Sequence, residues 1–126
     1  MRTTGRSTWL EGARVFIADD EVLIAFDLEA TFQGVGAQVI GPWFTLPEAM
    51  ASAERDHIDV AVLDFRLGTD TTEPVARLLV ERQIPFLFYS GQRLPELLSR
   101  HGHMLVEKPA MNDRLVEAVA RLLNRP

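Results

Sequence analysis

Short continuous apolar runs recur along this chain and restrict its folds more than any other feature. Val15-Phe16-Ile17-Ala18, Val60-Ala61-Val62-Leu63, Phe86-Leu87-Phe88 and Met104-Leu105-Val106 do not alternate apolar with polar residues. Strands covered by helices on both faces read this way. Ala37-Gln38-Val39-Ile40 is more mixed and reads as an edge strand. Helical patterns lie between the runs. Residues 21–33 carry Val22, Leu23, Phe26 and Ala30 at helical spacing, and Gly34 and Gly36 close the segment. Thr45-Leu46-Pro47-Glu48 has the spacing of a capping box and opens a helix to about Glu54. Thr71-Thr72-Glu73-Pro74 supplies caps and a first-turn proline before Val75, Leu78 and Leu79. Residues 94–100 predict a short helix. Residues 112–124 predict a longer one, with Leu115, Val119 and Leu122 beside Val116, Ala120 and Leu123. The expected fold class is α/β: a (βα)5 doubly wound parallel five-stranded sheet with helices on both faces.

Composition narrows the function. With 126 residues, 47% apolar and 25% charged, the chain fits one globular domain. A net charge of −5 and the lack of any Lys/Arg run argue against nucleic-acid binding. The absence of cysteine excludes a disulfide framework, a thiolate zinc site and a thiol nucleophile. No apolar run approaches the ~18 residues of a membrane span, so no membrane contact and a cytoplasmic location are expected. Residues 1–11 read as a polar extension and 12–126 as the domain, with nothing else attached.

In a parallel sheet of this kind, ligands gather at the carboxyl ends of the strands. Asp19, Asp20 and Glu21 follow the first run and Asp64 follows Val60–Leu63. Ser90 and Gly91 follow the fourth strand, and Lys108-Pro109 follow the fifth. Crowded carboxylates disfavour joint ionisation unless a cation joins them, and a hard divalent ion with oxygen ligands, such as Mg2+, suits the set. Asp64 would then be placed to attack phosphorus as a carboxylate nucleophile. Lys108 would neutralise a phosphoryl oxygen, and the Ser90 hydroxyl would hydrogen-bond it. Each residue also has a plainer reading. Acids are favoured at a helix N-terminus by its dipole, and for Glu21 that is the better account. A lysine is most often a solvated surface group, and His57, His101 and His103 read as exposed. Phe26, Phe86 and Phe88 read as core, and Trp9 and Trp43 as partner contacts or partly buried side chains.

Asp19-Asp20, Asp64, Ser90 and Lys108-Pro109, in this order, resemble the signature of the receiver domain of two-component response regulators. The resemblance covers about residue 12 to 126 and implies the flavodoxin-like strand order 2-1-3-4-5. It implies Asp64 as phosphoacceptor, with Mg2+ held by Asp20 directly, Asp19 mainly through water, Asp64 itself and the backbone carbonyl of Arg66. Ser90 is then the switch hydroxyl, Lys108 the partner of the acyl phosphate, and Lys108-Pro109 a cis peptide. Pro85-Phe86-Leu87-Phe88-Tyr89-Ser90-Gly91 is similar to the Phe-Ala-Thr-Gly motif of a stand-alone alphaproteobacterial receiver subgroup, with Tyr89 and Ser90 departing from it. Many receivers carry an aromatic residue where this chain has Leu105, so the usual aromatic swing is not its output mechanism. The intervals from Asp64 to Ser90 and from Ser90 to Lys108 are short for the family, which implies trimmed loops. Arg66 and Gln92 lie where receivers tune phosphate lifetime.

The resemblance implies a single-domain response regulator, a regulatory phosphoacceptor and not an enzyme. It would take a phosphoryl group from a histidine kinase or histidine phosphotransfer protein and signal to an unknown downstream protein by contact, relay or phosphate sink. The margin of the 112–124 face is a candidate homodimer surface. Three rivals stand beside this. A pseudo-receiver acting only as a binding module remains open because of Leu105 and the short intervals. A haloacid dehalogenase-type phosphatase wants a second aspartate where Arg66 stands. A flavodoxin-like FMN binder wants a Ser/Thr/Gly-rich loop that does not follow the first strand.

Overall fold

The computed structural model describes residues 8–91 and 104–125. Five parallel strands form the main sheet: β1 (Arg14–Ala18), β2 (Gln38–Trp43), β3 (Val60–Leu63), β6 (Phe86–Ser90) and β7 (Met104–Glu107). Their order is β2-β1-β3-β6-β7. This is the expected 2-1-3-4-5 arrangement, because β4 (Arg66–Leu67) and β5 (Asp70–Thr71) form a separate antiparallel hairpin. The helices are α1 (Val22–Gly34), α2 (Leu46–Arg55), α3 (Glu73–Glu81) and α4 (Asn112–Leu122). The expected helix over 94–100, like Gln92, His101 and His103, lies outside the described residues.

All residues of β3 and β6 are buried, as are four of the five in β1. Their side chains feed two cores on opposite faces. Val15, Ile17, Val62, Leu87 and Tyr89 pack with α1 and α4, while Phe16, Ala61, Leu63, Phe86 and Phe88 pack with α2 and α3. A continuous apolar run is the consequence, since both sides of each central strand lose water. The run Met104-Leu105-Val106 differs from this expectation. It forms an edge strand in which only Val106 is buried and Leu105 is exposed.

Helix α1 departs from the predicted face. Val22, Leu23, Phe26 and Ala30 are all exposed, and Ala25, Leu28 and Phe32 are buried instead. The sequence VLIAFDLEATF is apolar around most of the helix, so spacing alone supports two faces. Packing against β1 and β2 selects the one carrying Phe32. Phe26 is therefore not core; its ring meets Phe44 edge to face at 5.9 Å. In α2 the Thr45 hydroxyl accepts from the Glu48 amide, as the capping box requires. Leu10, inside the stretch read as a polar extension, is wholly buried, and Arg125 donates to the carbonyls of Trp9 and Glu11. Among the described residues no helix is long and apolar enough to cross a membrane.

The β1–β2 register shifts between Phe16 and Ala18. Gly41 lies there at φ +112°, followed by the cis Gly41–Pro42 bond. A Cβ at Gly41 would come within 2.9 Å of the Ile17 carbonyl, so only glycine fits this bulge. Beyond it Trp43 accepts the Asp19 amide at 3.0 Å, which fixes the backbone at the start of the acidic cluster.

Candidate functional site

The carboxyl ends of β1, β3 and β7 deliver three acids and one lysine to a single point. Oxygens of Asp19, Asp20 and Asp64 lie within 4.8 Å of one another. Lys108 Nζ sits 2.9 Å from Asp19 Oδ2, 3.0 Å from Asp64 Oδ2 and 2.6 Å from Glu21 Oε1. An ammonium carries three donors, so three carboxylates match its full capacity. The Lys108–Pro109 bond is cis, as the resemblance implied.

Each acid has a distinct second contact. Asp19 Oδ1 accepts the Glu21 amide at 2.9 Å, so this residue also helps to start α1. Its Oδ2 is buried and faces the Lys108 ammonium. Burial raises the Asp19 carboxyl from its ordinary 3.8 to about 6, against the opposing pull of the Glu21 amide and Lys108. Asp20 Oδ2 accepts the Gly68 amide at 2.6 Å. Gly68 turns the β4–β5 hairpin at φ +65°, a conformation that suits glycine. Burial alone would lower the Lys108 ammonium, yet Glu21, Asp19 and Asp64 together hold it well above its usual range. It stays charged at any physiological pH.

Three contributors were not visible in the sequence. Glu21 does begin α1, but its side chain also binds Lys108 across 87 residues of sequence. Thr72 occupies the N-cap position of α3 without capping it. Instead its fully buried hydroxyl donates to the Asp64 carbonyl at 2.8 Å, bracing the backbone behind the carboxylate. Tyr89 is buried beside Lys108, and its hydroxyl accepts the Ala110 amide at 3.2 Å. Local spacing carried no signal for these three: Glu21 and Tyr89 meet partners far along the chain, and Thr72 reaches Asp64 across the β4–β5 hairpin. Ser90 is buried at the end of β6, and its carbonyl accepts the Lys108 amide at 3.1 Å. Arg66 opens β4 and is exposed. His57 is an exposed residue paired with Asp59 at 3.4 Å, and Trp9 and Trp43 are partly buried against the two cores.

The donor set suits a hard divalent cation. All the ligand atoms are carboxylate oxygens, and the single Lys108 ammonium leaves the cluster of Asp19, Asp20 and Asp64 net negative. Ligands on one octahedral Mg2+ stand about 3–4 Å apart, given metal–oxygen distances near 2 Å. Oxygens within 4.8 Å fit such an ion when one acid reaches it through water.

The chain is similar along nearly its whole length to a response regulator receiver protein from Sinorhizobium medicae. Identity is 29%, with 91% of this chain and 97% of that one covered and a TM-score of 0.80. The chain belongs to the response regulator receiver family. This receiver is also 32% identical to SdrG from Sphingomonas melonis, covering 89% of this chain and 97% of that one at a TM-score of 0.77. Over 80 residues it is 32% identical to the phyllosphere-induced regulator PhyR of Methylorubrum extorquens, a match covering 61% of this chain. The receiver spans only 30% of the length of that curated relative. No family model matches the chain. Receiver domains are regulatory, and they interact with kinases or phosphotransfer proteins.

Proposed function

We propose that this receiver accepts a phosphoryl group on Asp64 from a phosphohistidine donor, in the presence of Mg2+. The single observation that carries the reading is Lys108, almost fully buried and held 3.0 Å from the Asp64 carboxylate. A lysine committed to that carboxylate is in place to follow its oxygen once a phosphoryl group is attached.

In the transfer, an Asp64 carboxylate oxygen forms a bond to phosphorus, the phosphorus–nitrogen bond of the donor breaks, and the imidazole leaves and takes up a proton. Asp19, Asp20, Asp64 and the Arg66 carbonyl would hold Mg2+, which supplies charge neutralisation for the phosphoryl oxygens. Lys108 neutralises a further oxygen as a compact charge, and Ser90, at the end of β6, hydrogen-bonds the phosphoryl group. Thr72 keeps the Asp64 backbone from moving during attack. The receiver assists its own phosphorylation and dephosphorylation and signals through a protein partner in the cytoplasm. Within this reading the domain comprises residues 12–126 and residues 1–11 precede it, with Leu10 packed into the core.

The test is incubation with acetyl phosphate and Mg2+, followed by intact-mass measurement. The wild type should gain one phosphoryl group and Asp64→Asn none. Equal labelling of the two proteins would remove Asp64 from its role. A correctly folded wild type that is never labelled, by acetyl phosphate or by a phosphorylated kinase, would favour the pure binding module.

A further inference from the structure

We infer that Tyr89 is the positioning residue for Lys108, its ring face supporting the ammonium. The observations are independent of one another. Lys108 Nζ stands 5.5 Å from the centroid of the Tyr89 ring, within the range where an ammonium is attracted to an aromatic face. The Tyr89 hydroxyl accepts the amide of Ala110, two residues beyond Lys108. The Lys108 amide donates to the carbonyl of Ser90, the residue after Tyr89, so strand and turn are tied at both ends of the contact. Tyr89 itself is 5% exposed and packs in the core formed with α1 and α4. Its position is therefore set by the domain interior and not by the site.

The physical case turns on the lysine stem. A lysine side chain has four rotatable carbons and carries about 2 kcal/mol of rotamer entropy, so carboxylates alone do not fix its direction. Two of its three partners, Asp19 and Asp64, change their demands when a cation and a phosphoryl group arrive. The ring does not change. A rigid aromatic surface under the ammonium keeps Lys108 aimed at Asp64 while its anionic partners exchange. An aliphatic residue at position 89 would be apolar but offer no charge-facing quadrupole.

The inference rests on the reading of Lys108 as a phosphoryl partner, and the experiment separates the two. Tyr89 is the chain's single tyrosine, so 3-fluorotyrosine labelling gives one fluorine resonance. That resonance should move by more than its line width in Lys108→Met, with no phosphodonor present. An unmoved resonance overturns the contact, whatever the outcome for Asp64. The second arm measures the rate of labelling by acetyl phosphate at saturating Mg2+. Tyr89→Phe keeps the ring and should stay within about twofold of wild type, while Tyr89→Leu should be about five- to thirtyfold slower. Mg2+ affinity, measured by calorimetry, should be the same in all three proteins. Tyr89→Leu labelling at the wild-type rate overturns the inference. So does Tyr89→Phe slowing as far as Tyr89→Leu, or a parallel loss of Mg2+ affinity, which would mark a general loosening of the site.

Discussion

Asp19→Asn should make the metal-free receiver more stable, although it removes a residue from the centre of the site. Asp19 is 1% exposed, and its Oδ2 faces the Lys108 ammonium at 2.9 Å. Its carboxyl rises from 3.8 to about 6 on folding. At 1.36 kcal/mol per pH unit, keeping it charged above pH 6 costs the fold about 3 kcal/mol. The sign follows from proton binding. Between pH 3.8 and about 6 the folded state holds more protons than the unfolded state, so wild-type stability falls as pH rises through that window. Above it the full cost is present. Asparagine keeps an oxygen for the Glu21 amide and removes the charge, but its amide donors cannot replace the oxygen facing Lys108. The expected gain at pH 7.5 is therefore about 1–2 kcal/mol, a rise in melting temperature of roughly 3–8 °C for a domain of this size. The assay is thermal unfolding with a chelator present at pH 7.5 and pH 4.5. The gain should shrink at the lower pH, where Asp19 is largely protonated in the fold. Added Mg2+ should stabilise the wild type more than the variant. Equal or lower stability of Asp19→Asn at pH 7.5 would refute the account of a buried acid whose desolvation outweighs its pairing with Lys108.

Other outcomes test individual contacts. Asp20→Ala should weaken Mg2+ binding far more than Glu21→Ala in calorimetry, since only Asp20 belongs to the three-acid cluster; matching losses would mean the acids are misassigned. Thr72→Val leaves the Asp64 carbonyl without its buried donor and should cost about 1–3 kcal/mol in urea unfolding. Leu28→Ala should cost about 2–5 kcal/mol, whereas Phe26→Ser should stay within roughly 1 kcal/mol, reversing the order that helix spacing alone suggests.

What could be read before the fold was known follows from where apolar runs stop. In a parallel sheet covered on both faces, a central strand is apolar along its length, and the first polar residue after it must stand at the carboxyl edge. Asp19, Asp64 and Lys108 were legible for that reason, as were the Thr45 cap and the edge position of β2. Tertiary packing decided the rest. The face of α1 depended on which side met β1 and β2, because the helix is apolar nearly all round. The β4–β5 hairpin was invisible because its strands are two residues long, too short for any period. The pairing of Glu21 with Lys108 depended on strands brought together by crossover connections, and the support of Asp64 by Thr72 on the β4–β5 hairpin that folds residue 72 back. The sequence by itself determined which chemical groups reach the end of the sheet, through the rule that buried backbone must run as apolar strands. Only the tertiary structure decided which group holds which, because a hydrogen bond or ion pair is selected by distance in space and leaves no periodic trace in the chain.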